Sequence, residues 1–277
     1  MVAAGVQVLE AGGGILRSNV YFIRSGSTWL LVDTGPNGSA RVIQEAASQL
    51  FGADTRPAAI LLSHIHPDHS GASPELARLW NCPVYVHADE LRFAQADAKD
   101  YFATYEPFWV GSRLWKPPPL DRWVLLPMMR LMPPGQRESI VERESLKDRA
   151  QPLPPGGEVP ELSGWEAVAT PGHTPGHVAF FRRSDRLLIA GDAIVTVELN
   201  SMRGLFLWAL GRKKLKLAGP PWYFTWDWRT AKETVAAVAR LRPVIVAPGH
   251  GPAIAGPEVA SRLERFAEQF CNLPSTA

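Results

Sequence analysis

Short apolar runs alternate along this chain with amphipathic stretches of helical period. Asn19-Val-Tyr-Phe-Ile23 and Thr28-Trp-Leu-Leu-Val32 read as two strands joined by the turn Arg24-Ser-Gly-Ser27, and Asp33-Thr-Gly-Pro36 ends the second. Ser39 reads as the N-cap of a helix to about Leu50, with Val42, Ile43, Ala46 and Leu50 on one face. Ala58–Leu62 reads as a buried strand, Pro74–Leu79 as a short helix, Pro83–Val86 as a strand and Ala88 to about Ala96 as a helix. Strands resume at Trp165–Ala169, His177–Arg182 and Arg186–Ala190. Asp227 caps a helix to Leu241 whose inner face includes Thr230, Val235, Val238 and Leu241. Val244–Ala247 is a strand, and Pro257–Cys271 a last helix with Val259, Leu263, Phe266 and Phe270 at helical spacing. Two stretches break the pattern. Over residues 97–160, proline and charge interrupt the candidate elements, apart from helices near Asp121–Leu131 and Glu138–Arg149. Residues 198–226 read as a second irregular excursion. The mixed order of strands and helices predicts an α/β or α+β layered fold. We expect one domain over residues 1–277, with insertions at about 97–160 and 198–226.

Composition narrows the classes. Apolar residues are 46% and charged residues 20%, too apolar for disorder. A formal charge of +2 excludes polyanion binding driven by net charge, so no nucleic-acid partner is expected. Cys82 and Cys271 stand far apart with no C-x-x-C, which argues against a disulfide scaffold and a cysteine zinc site. The N-terminus lacks a basic segment followed by an apolar core. The most apolar stretches, 123–132 and 204–210, are too short to span a bilayer, so a cytoplasmic protein is expected. The excursions gather aromatic and apolar side chains: Phe108, Trp109, Trp115, Met128 and Met129 in the first, Phe206, Trp208, Trp222, Tyr223 and Phe224 in the second. They read as an apolar pocket wall, or as a core cover or homodimer contact.

The chemistry concentrates in Ser63-His64-Ile65-His66-Pro67-Asp68-His69-Ser70, directly after an apolar strand. Imidazole and carboxylate are ligands that borderline divalent metals favour, and a short loop lets such side chains converge. Crowded imidazoles would repel on protonation unless something binds them. Three further strand ends deliver His or Asp: Thr170-Pro-Gly-His173-Thr-Pro-Gly-His177, Gly191-Asp192 and Pro248-Gly-His250-Gly251. No G-x-S-x-G occurs and neither cysteine lies in a ligand motif, so no nucleophilic Ser or Cys is evident.

With HIHPDH, TPGHTPGH, AGDA and APGHG in this order after the hairpin SNVYFIRSGSTWLLVDTG, the chain resembles the metallo-β-lactamase-fold hydrolases over all but the two excursions. The resemblance implies a four-layer αββα sandwich with a two-metal site on the rim between its sheets. It implies one ion on His64, His66 and His173, another on Asp68, His69 and His250, and Asp192 bridging both. Zinc is the metal expected first, with iron or manganese as alternatives. It implies hydroxide from a shared water attacking an ester, lactone, thioester or phosphoester, with Asp68 catalytic in orienting it as well as a ligand. His177 would lie behind the ligands, whereas His87 matches no motif and reads as a packing or surface residue. Aspartate at 192, where β-lactam-cleaving members usually carry Cys or Ser, points to the glyoxalase II and lactonase-like branch. Val195 stands where acyl-homoserine lactonases commonly carry tyrosine, the final helix is mixed in charge, and Arg212–Lys216 reads as a solvated turn. The alternative is a persulfide dioxygenase-like enzyme with a single iron on His64, His173 and Asp192.

Overall fold

The computed structural model describes residues 1–96, 144–221 and 225–272. Its first sheet runs in the order β1 (Val6–Ala11), β2 (Ser18–Ser25), β3 (Thr28–Val32), β4 (Ala59–Leu61), β5 (Val84–Val86), β6 (Ala150–Pro152). β1 to β3 are antiparallel and β3 to β6 parallel. The connections α1 (Ala40–Phe51), α2 (Pro67–Ser70), α3 (Ser73–Trp80) and α4 (Ala88–Gln95) follow the third, fourth and fifth strands. The second sheet is built from β7 (Trp165–Ala169), β8 (Val178–Arg182), β9 (Leu187–Gly191), β12 (Ile245–Pro248) and β13 (Ile254–Ala255), in the order β13-β12-β9-β8-β7. β10 (Val195–Val197) and β11 (Leu215–Ala218) form a separate ribbon around α5 (Met202–Ala209). α6 (Trp228–Arg240) and α7 (Val259–Cys271) complete the chain.

Strand alternation sorts the core into three layers. Phe22, Leu31, Ile60 and Val84 face Ile43, Leu76, Trp80 and Phe93 of the helices on the first sheet. Tyr21, Ile23, Leu30, Val32 and Leu61 face Val178, Phe180, Leu187 and Ile189 between the sheets. Phe181, Leu188 and Val246 face Val235, Val238, Leu263 and Phe270 of α6 and α7. Helices outside two facing sheets make the expected αββα sandwich. Each buried strand therefore serves two cores, which is why these strands read as continuous apolar runs.

Several expectations are corrected. β1 and β13 were not anticipated; β1 lies opposite β2 from Val6↔Ile23 to Ala11↔Ser18. The stretch 198–226 is not irregular throughout, because α5 and β11 lie in it. The stretch 97–160 contains β6 as an added parallel strand. Of the helix expected over Glu138–Arg149, the described part holds only a short 3₁₀ turn at Lys147–Arg149; the one expected near Asp121–Leu131 lies outside the described residues. Ser39 makes no side-chain cap; of the expected inner face of α1, Ile43, Ala46 and Leu50 pack on the core, whereas Val42 is 41% exposed and Ala47 is buried in its stead. Asp227 does cap α6, accepting from the backbone N–H of Arg229 and Thr230 at 2.9 and 3.2 Å. None of the helices, among the described residues, is long and apolar enough to cross a membrane.

Candidate metal centre

The histidine loop leaves the C-terminal end of β4 and turns at once into α2, with Pro67 in its first turn, where proline costs no hydrogen bond. That turn folds His64, His66, Asp68 and His69 back over the rim of the sheets. Gly71 makes the fold-back possible, since a Cβ there would stand 2.3 Å from the Asn37 backbone nitrogen. From the second sheet, the loop between β7 and β8 brings His173, the end of β9 brings Asp192 and the end of β12 brings His250. All seven predicted site residues converge, and their six His and Asp side chains other than Asp68 are at most 4% exposed.

The ligand atoms fall into groups. His64 Nε2 stands 3.0 Å from His66 Nδ1, and His66 Nδ1 stands 2.9 Å from His173 Nε2. On the other side, His69 Nε2 and His250 Nε2 are 3.3 Å apart, with Asp68 Oδ2 at 3.7 and 3.3 Å from them. Asp192 lies between: its Oδ2 is 3.3 Å from both His173 and His250, and its Oδ1 is 3.4 Å from His69. The two groups His64–His66–His173 and Asp68–His69–His250 each present three ligand atoms within 4.8 Å of one another, as do His64, His69 and Asp192.

Hydrogen bonds behind the ligands fix which nitrogen faces inward. His69 Nδ1–H donates to Asp33 Oδ2 at 2.9 Å. Ser63 Oγ–H donates to the same oxygen at 2.8 Å and accepts from His64 Nδ1–H at 3.0 Å. The other Asp33 oxygen accepts from the Ser63 backbone N–H at 2.8 Å. His173 Nδ1–H donates to Thr225 Oγ1 at 3.2 Å, and His250 Nδ1–H to the Arg17 carbonyl at 2.7 Å. These partners turn the Nε2 atoms of His64, His69, His173 and His250 toward the ligand groups. His177 is not directed at the group. Its Nδ1–H donates to Thr170 Oγ1 at 2.7 Å and its Nε2 accepts from the Asp192 backbone N–H at 3.0 Å, so it positions the Asp192 main chain. His87 is half-buried and caps α4, accepting from the Asp89 backbone N–H at 3.2 Å.

The electrostatics divide in the same way. Burial first, then neighbouring imidazoles, hold His64 and His66 well below the usual histidine range, and burial with His173 pulls His177 down to about 3. Burial would also lower His69 and His250, but the carboxylates of Asp192 and Asp68 outweigh it; His69 is raised well above its ordinary value and His250 to about 9. Burial pushes Asp192 up, and the imidazoles of His250 and His69 more than reverse it.

These residues fit metal ions. Converging imidazole lone pairs repel one another unless a cation lies among them. Ligands about 2.0–2.1 Å from an ion stand roughly 2.9–3.4 Å apart at octahedral to tetrahedral angles. Asp192 Oδ1 is buried with no hydrogen-bond partner among the described residues, an expensive arrangement for a carboxylate oxygen without a cation.

The family model described as the metallo-beta-lactamase superfamily matches residues 13–250. The chain belongs to that superfamily. It is 36% identical over 259 residues to the probable metallo-hydrolase YflN of Bacillus subtilis, covering 92% of this chain and 89% of that one. It is 26% identical over 219 residues to an atrochrysone carboxyl ACP thioesterase of Aspergillus fumigatus, covering 77% and 52%. Among solved structures, TTHA1623 in a di-iron-bound form superposes with a TM-score of 0.54 at 25% identity, over 94% of this chain and 99% of that one. Within this superfamily member, sequence reading overlooked Asp33, Ser63, Thr225 and Glu90. Asp33 carried a signal: an Asp-Thr-Gly directly after a strand, one strand away from the histidine loop. Thr225 and Ser63 carried none.

Proposed function

We propose that this protein is a binuclear metal-dependent hydrolase. In this reading His64, His66 and His173 hold one ion, Asp68, His69 and His250 hold the other, and Asp192 bridges them. The supporting observation is the Asp192 carboxylate, which lies within 3.4 Å of ligand nitrogens of both groups at once. Zinc suits the donor set, as do iron and manganese. The bound pair would supply a nucleophile from water at neutral pH and positive charge for the oxygen of the attacked group. The chain's own residues do the rest. Asp33, Ser63, Thr225 and the Arg17 carbonyl hold the imidazoles oriented. Asp68 is the most open of the ligand carboxylates, with its side chain 16% exposed against 3% for Asp192. It is therefore the group placed to accept a proton from an incoming water.

The substrate class is an ester, lactone, thioester or phosphoester carrying an apolar group. Support comes from α5. Trp208 is buried with its ring edge-on to His250, 6.0 Å between centroids, and Met202, Phe206 and Leu210 are exposed along the same helix. The thioesterase name of the Aspergillus relative is consistent with the thioester option. The other aromatic candidates, Phe108, Trp109, Trp115, Met128, Met129, Trp222, Tyr223 and Phe224, lie outside the described residues. Metal analysis of the purified protein with a panel of esters, lactones, thioesters and phosphodiesters tests the reading. Two equivalents of metal and hydrolysis of at least one class are expected. One equivalent of iron with oxygen consumption and no hydrolysis would replace it with the dioxygenase alternative.

A further inference from the structure

Glu90 is a carboxylate buried to 1% exposure and takes no part in the ligand groups. It occupies the third residue of α4, after the cap His87. There a glutamate ordinarily folds back onto the cap residue's own N–H. Here both oxygens reach elsewhere. Oε2 accepts from the backbone N–H of Ile65 at 3.1 Å, and Oε1 from that of Gly176 at 2.8 Å. Ile65 sits between His64 and His66, on the first sheet's side of the rim; Gly176 ends the loop that carries His173, on the second sheet's side. One carboxylate thus ties together the two loops that deliver the three histidines of one ligand group. The approach is close: a Cβ on Gly176 would lie 2.7 Å from Glu90 Cγ and 2.9 Å from His87 Nδ1.

We infer that Glu90 is a positioning residue that sets the register of the His64–His66 loop against the His173 loop, and so governs metal affinity at that group and not at the Asp68–His69–His250 group. The inference rests on the two-metal reading above. A carboxyl group suits the position, because each of its two oxygens can accept from one of the two backbone N–H groups. Glutamine has the same shape, but its NH2 would face one of the two N–H donors. That donor would lose its acceptor in a buried place, and its loop would shift. Aspartate is one methylene too short to span both loops.

The experiment is a cobalt(II) titration of metal-free wild type, Glu90→Gln and Glu90→Asp, followed by absorbance, with melting temperature recorded in chelator. Wild type should take two equivalents. Both variants should bind one equivalent as wild type does and the other about 10–100-fold more weakly. The weakened equivalent is assigned by combination: Glu90→Gln should add nothing to His66→Ala, but should weaken the binding that remains in His250→Ala by the same factor of about 10–100. If Glu90→Gln does not fold, Gly176→Ala takes its place, since the added methyl displaces the carboxylate without altering its charge; the same selective loss is expected. Unchanged affinity for both equivalents overturns the inference, as does equal weakening of both. A wild type that never takes two equivalents overturns the two-metal reading on which the inference rests.

Discussion

Asp33 holds its backbone at φ 60, a left-handed conformation that costs a residue with a side chain on the order of 1 kcal/mol. That turn aims one carboxylate at two targets, the His69 ring and the Ser63 hydroxyl that carries His64. Asp33→Asn would present an NH2 to one of these donors. We expect metal affinity to fall about 10–100-fold, at both ligand groups, in a competition titration with a chelating dye. A drop confined to one group would show that the relay through Ser63 carries no weight. Asp192→Ala removes the carboxylate that faces both groups, so it should abolish hydrolysis and reduce bound metal at both; two full equivalents with normal turnover would contradict the bridging role. Gly249 is the quieter partner of Asp192. A Cβ there would fall 2.1 Å from Asp192 Oδ1 and 2.8 Å from His69 Cε1, so Gly249→Ala must displace the carboxylate. Hydrolysis and metal content should both drop, while melting in chelator stays within a few degrees of wild type.

At the scale of elements, what the sequence disclosed depended on where information is stored. The histidine loop, Asp192 and His250 were legible because each follows a short apolar run that reads as a buried strand, and the His173 loop because it repeats Thr-Pro-Gly-His between two strands. β1 and β13 were not, because edge strands with a solvated side show weaker patterning: Val8 is 40% exposed in the middle of β1. α5 was missed for a different reason. Met202, Phe206 and Leu210 make its outer face as apolar as its inner one, so no helical period stands out. The helix is anchored by Trp208, over which the Arg17 guanidinium stacks at 5.1 Å, and the Arg17 carbonyl in turn accepts from His250. Phe206 is 63% exposed, so Phe206→Ser should change folding stability by about 0.5 kcal/mol or less. If α5 contacts the apolar group, kcat/KM for long-chain acyl substrates should fall about tenfold while that for acetyl esters holds. An equal fall across the series would remove α5 from the substrate path.

Across the whole molecule the ligands come from both halves of the sandwich: four from the β4–α2 loop on the first sheet, three from loops of the second. Direct ties already cross this seam. Asn19 at the start of β2 donates through Nδ2 to the carbonyls of Pro248 and Gly251 at 2.9 and 2.6 Å, and Tyr21 Oη–H donates to Pro248 at 2.6 Å. Metal ions shared between the halves would add to these, stabilising the fold by about 4 kcal/mol at a thousandfold excess over Kd. The histidines then give the stability a pH signature. His64, His66 and His177 are held below the ordinary value of 6.5, so the unfolded chain takes up protons that the folded one refuses, and the stability they contribute is lost as pH falls from about 6.5. His69 and His250 are raised, so in the metal-free fold they keep protons that the unfolded chain releases. Their contribution is complete below about 6.5 and is lost as pH rises past it, for His250 through about 9. The melting temperature of chelator-treated protein should therefore peak near pH 6.5 and fall on both sides. Metal loading requires His69 and His250 to give up those protons, so it should erase the alkaline limb and leave only the acid one. Thermal scans from pH 5 to pH 9.5 with and without chelator make the comparison. An alkaline limb that persists in the loaded protein would mean that His69 and His250 do not bind the metal.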